Sequence, residues 1–205
     1  MPLPYDRAIT MPSIFQGLGS KISMPQDQEV IIREASIADA RGIARVHVDT
    51  WRTAYAGIMP DAVLESLSHK RDERKQKDAL KHPRPGSKTF VAEILPAGIV
   101  GFAAGGYPWD VHPVYEGELF VIYILEMYQR LGLGRALVHL VKDHLKSLGL
   151  KNMIVWVLEE NPARAFYEKL GGVVVDEKMM KRRGKQLKEL AYGWPDIETV
   201  GESRD

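Results

Sequence analysis

The stretch Glu118–Leu137, which reads ELFVIYILEMYQRLGLGRAL, decides how the rest of the chain is organised. After Glu118, the run from Leu119 to Leu125 is apolar and rich in β-branched and aromatic residues, which predicts a buried strand. The apolar positions from Leu133 to Leu148 then recur at helical spacing, and Gly149 ends the pattern. The sequence therefore predicts a strand that leads through a short glycine loop directly into a helix.

A glycine loop at the start of a helix is suited to binding a phosphate group. Free main-chain N–H groups and the positive end of the helix dipole point to one place, and glycine lets ligand oxygens approach the amides. Arg130 and Arg135 flank the loop and can add charge-assisted hydrogen bonds. The loop is not a Walker loop, because Arg135-Ala136 follows Gly134 where Lys-Ser/Thr is required. It also lacks the third small residue of a dinucleotide fingerprint, since that position is Leu137.

Two motifs resemble those of the GNAT superfamily of acetyl-CoA-dependent N-acetyltransferases. The run Gln129–Gly134 matches the family's Gln/Arg-x-x-Gly-x-Gly/Ala signature, and Tyr123–Gln129 looks like its fourth strand leading into the pyrophosphate loop. The run Asn161–Gly171 is similar to the family's Asn-x-x-Ala-x-x-Phe-Tyr-x-x-x-Gly helix. Because the two motifs occur in order, one strand apart, they are more specific than a lone Gly-x-Gly. The resemblance covers Val30 to Trp194, most of the chain.

The resemblance implies an α/β (α+β) fold, a GNAT-like mixed and mostly antiparallel sheet of about six to seven strands with helices on both faces. The strands Glu118–Leu125 and Asn152–Leu158 would run parallel, joined by a right-handed crossover helix, and would splay apart to hold the coenzyme. A Pro-Ala-Gly turn predicts an antiparallel hairpin before them. The remaining predicted strands are Val30–Ala35, Lys88–Leu95, Ile99–Tyr107, Gly172–Met180 and Gln186–Trp194, the last two joined across the basic run 181–185.

Composition suits one globular domain and excludes several functions. Of the 205 residues, 45% are hydrophobic and 27% charged. Residues 1–28 show no periodic pattern and are predicted to be an N-terminal extension outside the fold, 29–197 a single N-acetyltransferase domain and 198–205 a C-terminal tail. The absence of cysteine excludes disulfides, thiol catalysis and cysteine-ligated metals.

Charge and hydropathy argue against two kinds of partner. The net charge of +1 provides no basic field for nucleic acid, and no apolar segment approaches the ~18 residues of a membrane span. We therefore expect no nucleic-acid partner, no membrane partner and a cytoplasmic location. His139 and His144 are five residues apart, which does not match a zinc motif, so no metal is predicted.

The resemblance also implies which residues contact acetyl-CoA. The main chain of Ile122 and Ile124 would bind the pantetheine arm, Asn161 would donate a hydrogen bond to it, and Phe166 would line its channel. Asn161 has an alternative role as a helix N-cap, because Asn-Pro is a favourable start of a helix. The residues that would hold the pyrophosphate, chiefly by main-chain amides, are Gln129, Arg130, Leu131, Gly132, Leu133, Gly134 and Arg135.

Acetyl transfer to an amine requires a neutral amine, a donor for the developing oxyanion and a proton or hydrogen bond for the departing thiolate. Glu118, which begins the central strand, is the candidate base, directly or through a water; the alternative is a solvated carboxylate at a strand end. The Ile124 N–H is a candidate oxyanion donor. Tyr167 falls where the family often places a tyrosine beside the coenzyme sulfur and is the candidate acid, with a helix-core role as the alternative.

The acceptor side is the least specific part of the sequence. Trp51, Arg52 and Tyr55 resemble a pattern found in one branch of the family and are candidate acceptor-binding residues, although Trp51 and Tyr55 could instead pack against the sheet. The expected acceptor is the amine of a small molecule, a peptide or a protein. A homodimer is open, since dimers are common in the family. The alternative function is a non-catalytic acyl-CoA-binding sensor or partner module.

Overall fold

The computed structural model describes residues 30–202, which form one seven-stranded sheet with the strand order β1-β2-β3-β4-β5-β7-β6. All neighbouring strands are antiparallel except β4 and β5, which run parallel. The predicted mixed, mostly antiparallel fold is therefore confirmed. The strands are β1 Val30–Glu34, β2 Lys88–Ile94, β3 Gly98–Gly106, β4 Glu118–Ile124, β5 Met153–Leu158, β6 Val173–Arg182 and β7 Lys185–Trp194.

Helices cover both faces of the sheet. Alternate residues of β2 separate the two layers: Phe90 and Ala92 pack against α4, whereas Val91 packs against α1. The α4 helix fills its side of the core with leucine and valine side chains at helical spacing. The helices are α1 Ala40–Ala54, α2 Asp61–Glu65, α3 His69–Lys81, α4 Leu133–Ser147 and α5 Arg164–Lys169. No helix within residues 30–202 is long and apolar enough to cross a membrane.

The parallel strands β4 and β5 separate soon after they meet. Only Glu118 and Ile154 are paired between them, and the Ile154 N–H donates to the Gly117 carbonyl at 2.9 Å. Beyond this point the facing edges of β4 and β5 diverge, so the middle of the sheet contains a V-shaped gap. The gap opens toward the glycine loop that follows β4.

Two element boundaries differ from the sequence prediction. Strands β6 and β7 extend into the basic run 181–185, because the connection needs only Arg183 and Gly184, at φ values of 44° and 89°. Such a two-residue turn with positive φ at both positions matches the twist of a hairpin. The α5 helix begins at Arg164, three residues after Asn161, because the residues between them form hydrogen-bonded turns.

The C-terminal boundary also differs. Residues 198–202, predicted to belong to a tail, pack on the domain: Val200 is 1% exposed and the Gly201 N–H donates to the Leu170 carbonyl at 3.0 Å. The domain therefore extends at least to Glu202. The prediction that residues 1–28 lie outside the fold falls outside the described residues.

Truncating the core side of α4 should destabilise the whole domain. Leu137 is fully buried between α4 and the sheet, so Leu137→Ala leaves a cavity and should lower the free energy of unfolding by about 2–5 kcal/mol. Leu140→Ala, at a partly buried position of the same helix, should cost less. Urea denaturation of the two variants measures the difference. Equal losses would contradict the assigned packing of α4.

Candidate active site

The loop between β4 and α4 has the backbone geometry of an anion site. Arg130 and Gly132 adopt left-handed conformations, at φ values of 61° and 80°, and α4 begins at Leu133. A left-handed arginine is uncommon and is retained where the surrounding structure requires it. Successive amides in such a loop turn toward one point, and the helix dipole adds positive potential there. The loop can therefore bind a phosphate through its main chain.

A side chain at position 134 would be in tight contact with its neighbours. A Cβ atom at this position would lie 3.1 Å from Cζ of Phe166 and 3.4 Å from Cδ1 of Ile124. The first turn of α4 thus approaches both the end of β4 and helix α5. This close approach brings the glycine loop to the mouth of the gap between β4 and β5.

The side chains of the loop are directed to several different places. Gln129 Nε2 donates to the Ile124 carbonyl at 3.0 Å, and Arg130 is exposed. Leu131 is partly buried against the core, and Leu133 is 2% exposed within it. The Arg135 guanidinium donates to the main-chain carbonyl of Gly201, which directs this side chain to the C-terminal segment. Any contribution of these residues to a phosphate therefore comes mainly from their amides.

The β4 main chain presents hydrogen-bonding groups to the gap, of which the Ile124 carbonyl already accepts from Gln129 Nε2. The Leu125 N–H donates to the Val100 carbonyl of β3 at 2.9 Å. Because hydrogen-bonding groups alternate along an antiparallel strand, those of Ile122 and Ile124 point the other way, toward β5. The ladder with β5 has ended by then. A ligand in the gap can therefore add hydrogen bonds to β4.

Asn161 and Phe166 lie on the far wall of the gap. Asn161 is 7% exposed, and its Oδ1 accepts the Ala163 N–H at 2.9 Å in the turn before α5; the predicted N-cap role is not found, because the N-cap residue of α5 is Ala163. Its side chain also lies next to the Tyr55 hydroxyl. Phe166 is partly buried against the core and faces Gly134. The β5–α5 connection thus contacts both the glycine loop and the acceptor side.

A second cleft, of about 290 Å³, opens on the α1 side of the sheet. Of the three candidate acceptor residues, Trp51 and Tyr55 line this cleft, whereas the Arg52 guanidinium donates to the Leu67 carbonyl at 3.1 Å and does not. The cleft combines aromatic rings, carboxylates and two cations. Its polar and aromatic lining residues are Trp51, Tyr55, Trp109, Asp110, Glu118, Phe120, Tyr123, Trp156, Lys178, Arg182 and Glu189.

Glu118 is buried in this cleft and is not a solvated strand-end carboxylate. Its residue is 7% exposed, and Oε2 accepts the Trp109 N–H at 2.9 Å. Burial raises the pKa of Glu118, while the Trp109 N–H and the positive charge of Lys178 partly oppose the shift. A carboxylate with a raised pKa in an open cleft is suited to accept a proton from a ligand.

A β-bulge in β4 directs Glu118 toward the cleft. Val121 lies opposite Ala104 and Leu119 lies opposite Gly105, so Phe120 is an extra residue without a partner on β3. A bulge changes which face of the sheet the following side chains occupy. As a result Glu118 and Phe120 face the cleft, whereas Leu119 enters the α4 core.

Tyr167 lies in the interior of the protein beside the gap. It is 5% exposed and contacts Phe166 and Tyr192, at ring-centroid distances of 5.5 and 5.9 Å. Burial, and then the neighbouring Tyr55, raises its pKa well above the ordinary value of a phenol. Tyr167 therefore stays protonated at neutral pH and can act as a hydrogen-bond donor.

Tyr123 is a partly buried tyrosine between the candidate residues. Burial raises its pKa well above the usual range, and the adjacent Tyr55 hydroxyl adds to the shift. The nearby Trp51 indole N–H partly lowers the pKa of Tyr123, although its Nε1 makes no hydrogen bond. The ring of Tyr123 also contacts His47, 5.4 Å between centroids. The cleft floor is thus a layer of protonated phenols.

Several cleft residues could not be predicted from the sequence. Phe120 and Tyr123 lie inside the apolar run that predicts β4, and Trp156 lies inside the run that predicts β5, so each resembles a core residue. Lys178 and Glu189 lie in the last hairpin, where charge usually indicates solvent exposure. The acidic and aromatic residues around Trp109 are the one weak indication of this cleft in the sequence. Within residues 30–202, no three His, Asp or Glu side chains are placed to hold a metal ion.

Two solved structures share the fold of this chain. PaiA N-acetyltransferase from Thermoplasma acidophilum, in complex with coenzyme A, is 21% identical with a TM-score of 0.61, covering 78% of this chain and 98% of that one. YncA from Salmonella typhimurium, described as a putative acetyltransferase with its cofactor acetyl-CoA, is 20% identical with a TM-score of 0.61, covering 82% and 94%. The chain therefore shares the fold of these two proteins.

Sequence similarity identifies the family. The profile of the acetyltransferase (GNAT) family matches residues 46–172. The N-acetyltransferase YuaI of Bacillus subtilis (strain 168), itself uncharacterized, is 40% identical over 171 residues, which is 83% of this chain and 96% of the relative. The chain belongs to the acetyltransferase (GNAT) family and is an N-acetyltransferase, as the two sequence motifs predicted.

Proposed function

We propose that the protein transfers an acetyl group from acetyl-CoA to a primary amine by direct attack of the amine on the thioester. The observation that carries this proposal is the gap beside β4, where Ile122 and Ile124 offer main-chain groups and the glycine loop lies at the mouth. Two proteins with the same fold carry coenzyme A or acetyl-CoA in their structures. The acceptor enters from the cleft on the α1 side, which contains Glu118.

The residues around the gap fit the coenzyme. The pyrophosphate would lie against the amides from Gln129 to Arg135, where a Cβ on Gly134 would meet the Phe166 ring at 3.1 Å. The pantetheine arm, which has amide groups of its own, would extend β4 through Ile122 and Ile124, beside Asn161 and Phe166. The Arg135 guanidinium would have to leave Gly201 to reach a phosphate, so its amide is the contact that we propose.

Glu118 supplies the base in this proposal. An alkylammonium has a pKa near 10, so at neutral pH it must lose a proton before its nitrogen can attack. Glu118, or a water that it holds, accepts this proton in the cleft. The Ile124 N–H points into the gap and donates to the oxygen that gains charge. Glu118 and the Ile124 N–H thus lie at opposite ends of β4, and the acceptor would bind between them.

Tyr167 supplies a hydrogen bond to the departing thiolate. A phenol with a raised pKa stays protonated near neutrality, so it donates a hydrogen bond to the sulfur. It transfers its proton to the sulfur only when another proton replaces it. The alternative of a purely structural Tyr167 differs in its prediction. A structural tyrosine would matter for stability and leave turnover unchanged when only its hydroxyl is removed.

Tyr167→Phe should lower kcat on the order of 10- to 100-fold while the Kd for acetyl-CoA stays nearly unchanged, because the hydroxyl acts on the leaving group and the ring is retained. Steady-state thiol release gives kcat, and calorimetry gives Kd. Tyr107→Phe, at an exposed position, is the matched control and should leave both unchanged. Unchanged turnover in Tyr167→Phe would remove Tyr167 from the mechanism.

A non-catalytic acyl-CoA-binding sensor is the alternative function. It would bind acetyl-CoA saturably and release no thiol with any amine. The buried carboxylate of Glu118, open to a cleft beside the gap, supports catalysis over this alternative. A cytoplasmic location and a homodimer stay predictions from the sequence.

A further inference from the structure

Lys178 places an ammonium group inside the acceptor cleft. Its Nζ lies 4.0 Å from the ring centroid of Trp156 and 3.7 Å from Oε2 of Glu189, its direct neighbour on β7. All three side chains line the cleft together with Glu118. An aromatic face beside a carboxylate is a favourable environment for an ammonium ion. The chain thus contains its own example of a cation bound in the cleft.

The contacts of Lys178 are weak. A separation of 3.7 Å is loose for a salt bridge, and the Lys178 side chain is 41% exposed. Lys188, in the same hairpin, shows the contrast: it pairs with Glu177 at 2.8 Å and Glu159 at 3.3 Å. An ammonium held as loosely as that of Lys178 can be displaced by another one.

We propose that Trp156 and Glu189 form the subsite for the acceptor's ammonium group, that Lys178 occupies this subsite in the free protein, and that the acceptor is therefore an unbranched primary alkylamine with the chemistry of a lysine side chain. The identity of this ligand as the acetyl acceptor rests on the proposed function, whereas binding of an ammonium group at the subsite does not. A lysine side chain is a butylammonium chain, so its fit defines the length and shape of the ligand.

The charges of the cleft support this class of acceptor. Asp110, Glu118 and Glu189 contribute three carboxylates, against the cations Lys178 and Arg182. When Lys178 leaves, one cation remains. A free α-amino acid would bring its own carboxylate next to these groups, and like charges repel. An alkylamine without a neighbouring carboxylate avoids this repulsion.

The first test replaces Lys178 by methionine, which keeps most of the chain length and removes the charge. Lys178→Met should lower the KM for n-pentylamine on the order of fivefold, because the internal competitor is gone. The control Lys181→Met removes the same charge from an exposed position on the same strand and should leave KM unchanged. A higher or unchanged KM in Lys178→Met would overturn the proposal.

A double-mutant cycle tests whether the competition occurs on Trp156. Trp156→Leu should raise the KM for n-pentylamine on the order of tenfold, and Lys178→Met should then give a much smaller improvement, since both cations have lost the ring and share only Glu189. An equal benefit of Lys178→Met with and without Trp156 would show that Lys178 acts elsewhere and contradict the subsite.

Binding without turnover keeps this test separate from the proposed function. In NMR spectra, adding n-pentylamine to the protein should shift the indole N–H resonance of Trp156, which is assigned by its loss in Trp156→Leu. The Kd from this titration should be lower for Lys178→Met than for the unmodified protein. A shift without thiol release would support the subsite and contradict the proposed acetylation of this amine, whereas thiol release with no shift would refute the subsite alone. Cadaverine and a peptide with blocked termini and one lysine distinguish a free amine from a protein lysine; preference for α-amino acids over both would overturn the class.

Discussion

Replacement of Gly134 by glutamate is expected to abolish acetyl-CoA binding. The Cβ atom would meet the Phe166 ring at 3.1 Å, and the carboxylate would lie beside the proposed pyrophosphate position. Two unit charges about 4 Å apart repel by about 4 kcal/mol at an effective dielectric of about 20, which is roughly a 10³-fold loss of affinity. Calorimetric titration with acetyl-CoA measures the loss directly.

Two controls separate the steric and electrostatic parts of this effect. Gly134→Ala adds only the Cβ, so the Phe166 ring must move by a few tenths of an ångström and the affinity should fall modestly. Ser147→Glu adds the same charge at the exposed end of α4, about 20 Å away, and should leave binding unchanged. Tight acetyl-CoA binding by a folded Gly134→Glu variant would contradict the assignment of the loop.

Replacement of Glu118 by glutamine is expected to lower kcat/KM on the order of 10²- to 10³-fold near neutral pH, with acetyl-CoA affinity retained. The amide keeps the size of the side chain and cannot accept the proton of the amine. Glu116→Gln, two residues away and exposed, is the matched control and should be neutral. A fully active Glu118→Gln variant would exclude Glu118 as the base.

The pH dependence of the activity tests the same role of Glu118. Burial raises the pKa of Glu118, and the base must be ionised to work, so activity should be lost as the pH falls through a value above that of an ordinary glutamate. This limb should disappear in Glu118→Gln. The deficit of the variant should also shrink as the pH approaches about 10, because the free amine then needs no base.

The half of the fold that we propose binds the coenzyme could be predicted from the sequence because its signals are local. The apolar run of β4, the glycines that follow and the period of α4 each depend on neighbours in the chain, and the structure has them at nearly the predicted bounds. The last hairpin differs more in its bounds, because β6 and β7 extend into the charged run 181–185 that the sequence predicts as their connection.

The acceptor cleft could not be predicted because it depends on contacts between distant segments. Glu118 is buried only because the loop that contains Trp109 covers it and because the bulge at Phe120 shifts the register of β4. Contacts between distant segments also remove Arg52 and Arg135 from the roles that their motif positions suggest. Each lies at a motif position, yet its guanidinium is bound to a backbone carbonyl far along the chain, at Leu67 or Gly201.

Acetyl-CoA-dependent release of thiol, measured over a panel of alkylamines, diamines, amino acids and lysine peptides, tests the central claim most directly. The proposed function predicts strong stimulation by at least one primary amine, with unbranched alkylamines or lysine side chains foremost, and no stimulation in Glu118→Gln at neutral pH. Confirmed acetyl-CoA binding without thiol release on any amine would contradict amine acetylation and favour the acyl-CoA-binding sensor.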